Sequence, residues 1–172
     1  MSRRIFSRSG RLLAAFLWSG CLAPAPPRRP SAAPPPAPAL YGWPLFKPRI
    51  LSPYGPRGRR FHVGLDLIQT RGGGDPILAS RDGVVEEARV RRGYGKTVLL
   101  RHPDGWFTRY AHGRKLNVRE GQRVARGDVL GWVGRTGRAT TAHLHFEILK
   151  PNRKTVDPKP RLFPATSAPP KS

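Results

Sequence analysis

Between Ile77 and Ile148 the apolar positions come in short runs, and turn residues divide them at close intervals. Gly83 precedes Val84-Val85-Glu86-Glu87-Ala88-Arg89-Val90, and Gly93-Tyr94-Gly95 precedes Thr97-Val98-Leu99-Leu100-Arg101-His102. Pro103-Asp104-Gly105 leads into Trp106-Phe107-Thr108-Arg109-Tyr110-Ala111, and Val129-Leu130-Gly131-Trp132-Val133 and His143-Leu144-His145-Phe146-Glu147-Ile148 follow. Short runs rich in β-branched and aromatic side chains, joined by Gly and Asp-Gly turns, predict the strands of an antiparallel β domain. No stretch carries a helical period. The least regular part is 117–131, where Val118, Val124 and Val129 alternate with polar residues and Gly121 and Gly127 break the chain into short turns. The expected fold is mainly β: a single small domain of antiparallel sheets.

Composition confines that domain to 41–163. Residues 1–40 hold no acidic side chain, and 22–39 are mostly Pro and Ala with Arg28 and Arg29, a mixture that cannot bury a core. Residues 164–172 read the same way, and all ten acids fall in between. Residues 1–20 read as an export signal. Arg3, Arg4, Arg8 and Arg11 form a basic start, and the apolar run from Leu12 to Trp18 is shorter than the roughly twenty residues a membrane span needs. The sole cysteine, Cys21, follows Ser19-Gly20 where a bacterial lipobox places its acylated residue, although Trp18 stands where such motifs usually have Leu. A lipoprotein on a Pro/Ala tether over 21–40, in the bacterial cell envelope, is therefore expected ahead of a secreted form. Arg3-Arg4 also resembles a twin-arginine start, and the acid-free N-terminus has features of a mitochondrial presequence. One cysteine rules out an internal disulfide.

Net charge is +22, and only seven of the 32 Lys and Arg residues lie outside 41–163, which leaves the domain near +15. Such a surface attracts polyanions: anionic cell-wall polymers, lipid head groups or nucleic acid. Arg enrichment from a base composition rich in guanine and cytosine accounts for the same charge without a partner.

Histidine changes the picture most. Four of the five copies fall in His62-Val63-Gly64-Leu65-Asp66, Tyr110-Ala111-His112 and His143-Leu144-His145. In a strand, His143 and His145 leave the same face, which suits two groups serving one site without saying which binds metal. His62 and Asp66 would stand roughly 13 Å apart in a straight strand, too far for two ligands with bonds of about 2 Å, so the chain must bend, and Gly64 permits it. Each histidine alone reads as a satisfied core group. Together they read as imidazole and carboxylate ligands of a transition metal, with titratable side chains beside them. His102, before Pro103-Asp104-Gly105, is expected to be an exposed turn histidine. Tyr94, Trp106, Tyr110 and Trp132 suit either a groove lining or, more commonly, a core.

These motifs resemble the lysostaphin/LytM-type zinc endopeptidases, which hydrolyse peptide cross-links or stems of bacterial peptidoglycan. The resemblance runs from Ser52 to Pro158. Ser52-Pro53-Tyr54-Gly55-Pro56-Arg57, the HxGxD element, Gly74-Asp75-Pro76-Ile77-Leu78-Ala79, Asp82-Gly83-Val84-Val85, Tyr94-Gly95, Tyr110-Ala111-His112, Gly121-Gln122-Arg123-Val124, Gly127-Asp128, Gly131-Trp132-Val133-Gly134, Thr136-Gly137 and His143-Leu144-His145-Phe146-Glu147 follow in the family's order. The resemblance implies a groove over the metal, an architecture related to the lipoyl/biotinyl hammerhead, and one Zn2+ per chain held by His62, Asp66 and His145. It also implies His112 and His143 as the catalytic pair, His143 as general base and His112 stabilising the oxyanion, roles that can be exchanged. The short basic stretch Gly58-Arg59-Arg60-Phe61 departs from the longer loop of many relatives and bears on substrate preference.

Three other readings fit less well. A non-hydrolytic activator of cell-wall amidases with the same fold typically lacks some of these five residues, and all five are present. A carrier module would need a modified Lys at a hairpin tip, and no Lys lies between residues 116 and 149. A carrier also has no use for the HxGxD element, and a basic nucleic-acid-binding protein would instead show strong salt-dependent binding to a duplex with no zinc and no cell-wall hydrolysis.

Overall fold

Side-chain alternation along one late strand divides the molecule into a buried face and a working face. The computed structural model describes residues 41–69 and 73–163, all within the unit Pro36–Ser172. The predicted export signal, Cys21, the predicted tether and the tail fall outside the described residues. The strands are β1 (Arg49–Ser52), β2 (Gly55–Arg57), β3 (Arg60–His62), β4 (Leu65–Ile68), β5 (Pro76–Leu78), β6 (Gly83–Arg91), β7 (Gly95–Arg101), β8 (Phe107–Leu116), β9 (Arg123–Val124), β10 (Val129–Val133), β11 (Leu144–Leu149) and β12 (Thr155–Val156). A single 3-10 turn, Lys159–Arg161, is the only helical element among the described residues.

β11 turns Leu144, Phe146 and Ile148 into the main core and His145 and Glu147 the other way. Its neighbours do the same: Leu65 and Leu67 of β4, Val98 and Leu100 of β7, and Tyr110 of β8 enter that core. Full burial of each large apolar side chain stabilises the fold by about 1.5–3 kcal/mol, so the core face fixes which residues are left for the opposite one. The main sheet runs β1-β4-β11-β8-β7-β6-β9, with β10 pairing β5 and β8, and β12 pairing β11. Every named pair is antiparallel; β2 and β3 form a separate hairpin.

The predicted strands around residues 84–111, 129–133 and 143–148 are all present, with β8 running on to Leu116. The irregular region 117–131 holds the two-residue β9 and the start of β10. The chain also bends between His62 and Asp66 as their separation requires: they lie in different sheets, β3 and β4, on either side of Val63-Gly64.

The expectation of an exposed His102 is wrong; the side chain is 1 % exposed. Its Nδ1 donates to the Asp82 carbonyl (2.8 Å), and Nε2 lies 3.0 Å from Thr108 Oγ1, whose hydroxyl is bonded to that of Tyr110 (3.0 Å). The Tyr41 ring packs edge-on at 5.6 Å, held in place by backbone bonds to Arg161 and Phe163. A local turn motif cannot foretell that the two ends of the domain meet over the turn. Burial pushes the His102 pKa down, so the fold favours the neutral ring. The unfolded chain takes up the proton first, near pH 6.5, so this group's stabilisation is present above that pH and is lost as the pH falls toward the folded value. We expect His102→Asn to cost about 1–3 kcal/mol at pH 7 and to reduce the fall in Tm between pH 7 and pH 5. An unchanged pH slope would contradict the buried neutral histidine.

Candidate metal centre

The bend between β3 and β4 and the sheet register bring three donors to one point. Asp66 on β4 pairs with His145 on β11, and His145 pairs on its other side with Ala111 of β8. His62 reaches the same point from the end of β3, across Gly64. A Cβ on Gly64 would lie 2.5 Å from the Phe146 carbonyl and 2.9 Å from the His145 ring, so this close passage of chain requires glycine. Asp66 Oδ1 lies 3.0 Å from His62 Nε2 and 2.9 Å from His145 Nδ1, and the two nitrogens are 3.2 Å apart. All three residues are buried.

Outer hydrogen bonds fix the tautomers. His62 Nδ1 donates to the Pro53 carbonyl (2.6 Å), leaving the Nε2 lone pair on the triangle. Arg57 Nη2 also lies 2.9 Å from that Nδ1, but its two N–H groups serve Ser52 Oγ and Asp66 Oδ2, the latter at 2.8 Å. His145 Nε2 lies 3.0 Å from Glu147 Oε1 and donates to it. Glu147 is fully buried and also accepts from the Tyr94 hydroxyl (2.7 Å) and Arg109 Nη1 (2.8 Å).

Each ionisation responds to these neighbours. Burial alone would raise the Asp66 carboxyl, but the bonds from His145 and Arg57 outweigh it and hold it well below the usual carboxylate range. Glu147 is likewise lowered: burial opposes, and His145 and Arg109 prevail. Burial would lower His145, but the carboxylates on either side raise it.

A proton on His145 Nδ1 can bridge only one side of the triangle. A metal ion serves all three lone pairs at once, and tetrahedral bonds of about 2.0–2.1 Å need donor separations of about 3.3–3.4 Å, close to those observed. Two imidazoles and a carboxylate suit a borderline-soft divalent ion. His62, Asp66 and His145 can therefore hold one metal ion.

His112 and His143 stand beside the triangle with ring centroids 4.8 Å apart. Each donates Nδ1–H to a backbone carbonyl, His112 to Thr136 (2.7 Å) and His143 to Thr141 (2.9 Å), so each is left with an Nε2 lone pair. His143 Nε2 is 3.6 Å from Asp66 Oδ1, beyond hydrogen-bonding distance. Strict alternation from Tyr110 would send His112 into the core. Instead His112 has φ +65°, and the pairing of β8 with β7 slips between Tyr110 and Gly113, where β8 carries an extra residue. This break in the pleat turns the imidazole to the working face. Burial lowers the His112 pKa, and the adjacent His143 and His145 add to the effect against the Thr136 carbonyl, so the ring is neutral at neutral pH.

All five residues singled out in the sequence line one cleft of about 540 Å³, together with Arg57, Phe61, Tyr94 and Arg138. Of the four aromatics in question, Tyr94 lines the cleft and Tyr110 is core. Trp106 packs against the core beneath Arg161, and Trp132 lies beneath Lys115. Sequence reasoning assigned no role to Arg57, Arg109 or Glu147. Glu147 had a signal, since it shares a strand face with His145, whereas Arg109 is found only through the register Glu147↔Arg109.

The sequence pattern of peptidase family M23 matches residues 60–158, more than half of the chain and the stretch that carries the site. The chain is 40% identical over 121 residues to the DD-carboxypeptidase/endopeptidase Mpg of Neisseria meningitidis serogroup B, covering 67% of this chain and 27% of that protein. It is 37% identical over 126 residues to the peptidoglycan DD-endopeptidase ShyA of Vibrio cholerae, covering 73% and 29%. It thus spans less than a third of either relative's length. A crystal structure of a zinc-containing peptidase from Vibrio cholerae superposes with a TM-score of 0.63 at 32% identity, over 69% of this chain and 39% of that one.

Groups that orient a metal-binding histidine typically change affinity by about 10–100-fold when altered. We therefore expect Glu147→Gln to weaken Zn2+ binding by about that factor in a competition titration with a chromophoric chelator, with the fold retained by circular dichroism. An affinity within twofold of the wild type would contradict the supporting role of Glu147.

Proposed function

This chain belongs to peptidase family M23, and we propose that its domain is a zinc metalloendopeptidase that hydrolyses peptide bonds in bacterial peptidoglycan. One observation carries the reading: three buried lone-pair donors converge within 3.2 Å, beside two imidazoles whose remaining nitrogens are unengaged. His62 Nε2, Asp66 Oδ1 and His145 Nδ1 are assigned as the zinc ligands. Zinc held by such a set supplies Lewis acidity and lowers the pKa of a coordinated water toward about 7.

The remaining chemistry belongs to His143 and His112. His143 Nε2 stands next to the ligand triangle, 3.6 Å from Asp66 Oδ1, and is assigned as the general base that takes up the water proton. His112 is assigned to the developing oxyanion and the leaving amine. In that role its Nε2 must carry a proton: the one His143 takes from water would pass to it across the 4.8 Å between the two ring centroids, and the lowered pKa of His112 favours handing it on to the leaving amine. The Thr136 and Thr141 carbonyls hold the two rings by Nδ1, so that neither has to reorient between accepting and releasing a proton.

Residues 1–20 are proposed as the export signal, Cys21 as the lipidated anchor and 21–40 as the tether, so that the domain works in the cell envelope. The excess positive charge of 41–163 favours anionic cell-wall polymers and lipid head groups as secondary contacts, over nucleic acid.

Purified sacculi should release peptide fragments when digested with the domain; a chelator should abolish release, and Zn2+ should restore it. Intact sacculi with zinc-loaded protein would favour a binding-only role for the same fold. His143→Ala and His112→Ala should each keep zinc and lose about 10²–10⁴-fold in rate, whereas Asp66→Ala should lose both zinc and activity. Loss of zinc from the His143 variant would contradict the ligand assignment.

A further inference from the structure

The cleft is lined by two guanidinium groups in different circumstances. Arg57 is engaged with Asp66 and Ser52. Arg138 is exposed, and neither a carboxylate nor an aromatic ring partners its side chain among the described residues.

The position of Arg138 is nevertheless tightly set. Its backbone N–H donates to the Gly93 carbonyl (2.8 Å). The preceding Gly137 has φ +73°, and a Cβ there would lie 2.5 Å from both Gly93 O and Gly95 N. One residue earlier, Thr136 Oγ1 accepts from Lys96 N–H (2.9 Å) and donates to the Gly113 carbonyl (2.8 Å), while the Thr136 carbonyl holds His112 Nδ1. Arg138 therefore sits two residues from the group that orients His112, on a loop clamped to β7 and β8. A free cation carried on a fixed stretch of backbone beside the reaction centre suits an anionic group of the substrate, and a guanidinium pairs most favourably with a carboxylate through two parallel hydrogen bonds.

We propose that Arg138 determines specificity by binding a free carboxylate of the peptide substrate next to the scissile amide. The proposal rests on the hydrolase reading and narrows its substrate class. A cross-link made through the distal amine of a diamino dicarboxylic acid, whose carbon also bears a carboxyl, leaves such a carboxylate beside the amide, so Arg138 would favour cross-links of that kind over those made through a plain side-chain amine or a bridge without a carboxylate. The exposed side chain is open to the group as the peptide enters, and the fixed backbone keeps the paired carboxylate in register with His112 and His143.

Two synthetic stem-peptide dimers test this, identical except that the carboxyls flanking the cross-link are free in one and amidated in the other. Wild-type kcat/KM should favour the free acid by about tenfold or more, the contribution of a charge-assisted hydrogen bond. Arg138→Gln should bring that ratio close to one, and Arg138→Lys should retain part of it, with zinc content and Tm showing that each variant is folded. A ratio of one for the wild type, or an undiminished ratio for Arg138→Gln, would overturn the proposal. If the wild type cleaves neither dimer, the hydrolase reading fails, and binding decides for Arg138. Tighter binding of the free acid by His143→Ala, absent in the double variant with Arg138→Gln, would support the anchor; equal binding of both dimers would overturn it.

Discussion

The structure turns on the approach of three electron-rich atoms, His62 Nε2, Asp66 Oδ1 and His145 Nδ1, within 3.2 Å of one another in a buried site. Such atoms repel unless a cation lies between them, and burial makes an uncompensated arrangement costly. The fold commits backbone geometry to that approach. Gly64 lets β4 pass against the His145 ring, the β4–β11 register sets Asp66 opposite His145, and the β2–β3 hairpin delivers His62 from outside the main sheet. Loosening any of these would remove a ligand while leaving most of the core intact.

The support around the triangle is as specific as the triangle. Glu147, itself held by Arg109 and Tyr94, fixes the tautomer of His145, and Arg57 occupies the Asp66 oxygen that faces away from the imidazoles. Glu147 and Arg109 lie on β11 and β8, Tyr94 in the turn before β7 and Arg57 on β2 of the separate hairpin, so the centre draws on several parts of the domain. His112 and His143 are held differently, by backbone carbonyls in the loop between β10 and β11. Binding and proton transfer thus depend on separate parts of the fold. Substitution at one can spare the other.

Much of this was legible before the fold was known, for reasons particular residues make plain. Leu144, Phe146 and Ile148 alternate with His145 and Glu147 in β11, with His143 just before it, and period-two alternation is a local property. The bend between His62 and Asp66 followed from chain length against bond length. What was not legible depends on contacts far apart in sequence. His112 reaches the cleft only because its backbone turns left-handed where β8 slips in register against β7. Arg109 meets Glu147 by register, and His102 is buried because Tyr41 closes over its turn. The surplus of arginine in the composition also concealed the difference between Arg57, which is paired, and Arg138, which has no carboxylate partner among the described residues.

The ligand assignment is tested most directly by anomalous diffraction at the zinc edge on crystals of the zinc-loaded domain. The account predicts one peak inside the triangle, with bonds of about 2.0–2.1 Å to His62 Nε2, an Asp66 oxygen and His145 Nδ1, and with His112 and His143 unbonded to it. A zinc ligated by His112 or His143, or bound away from the triangle, would contradict the account.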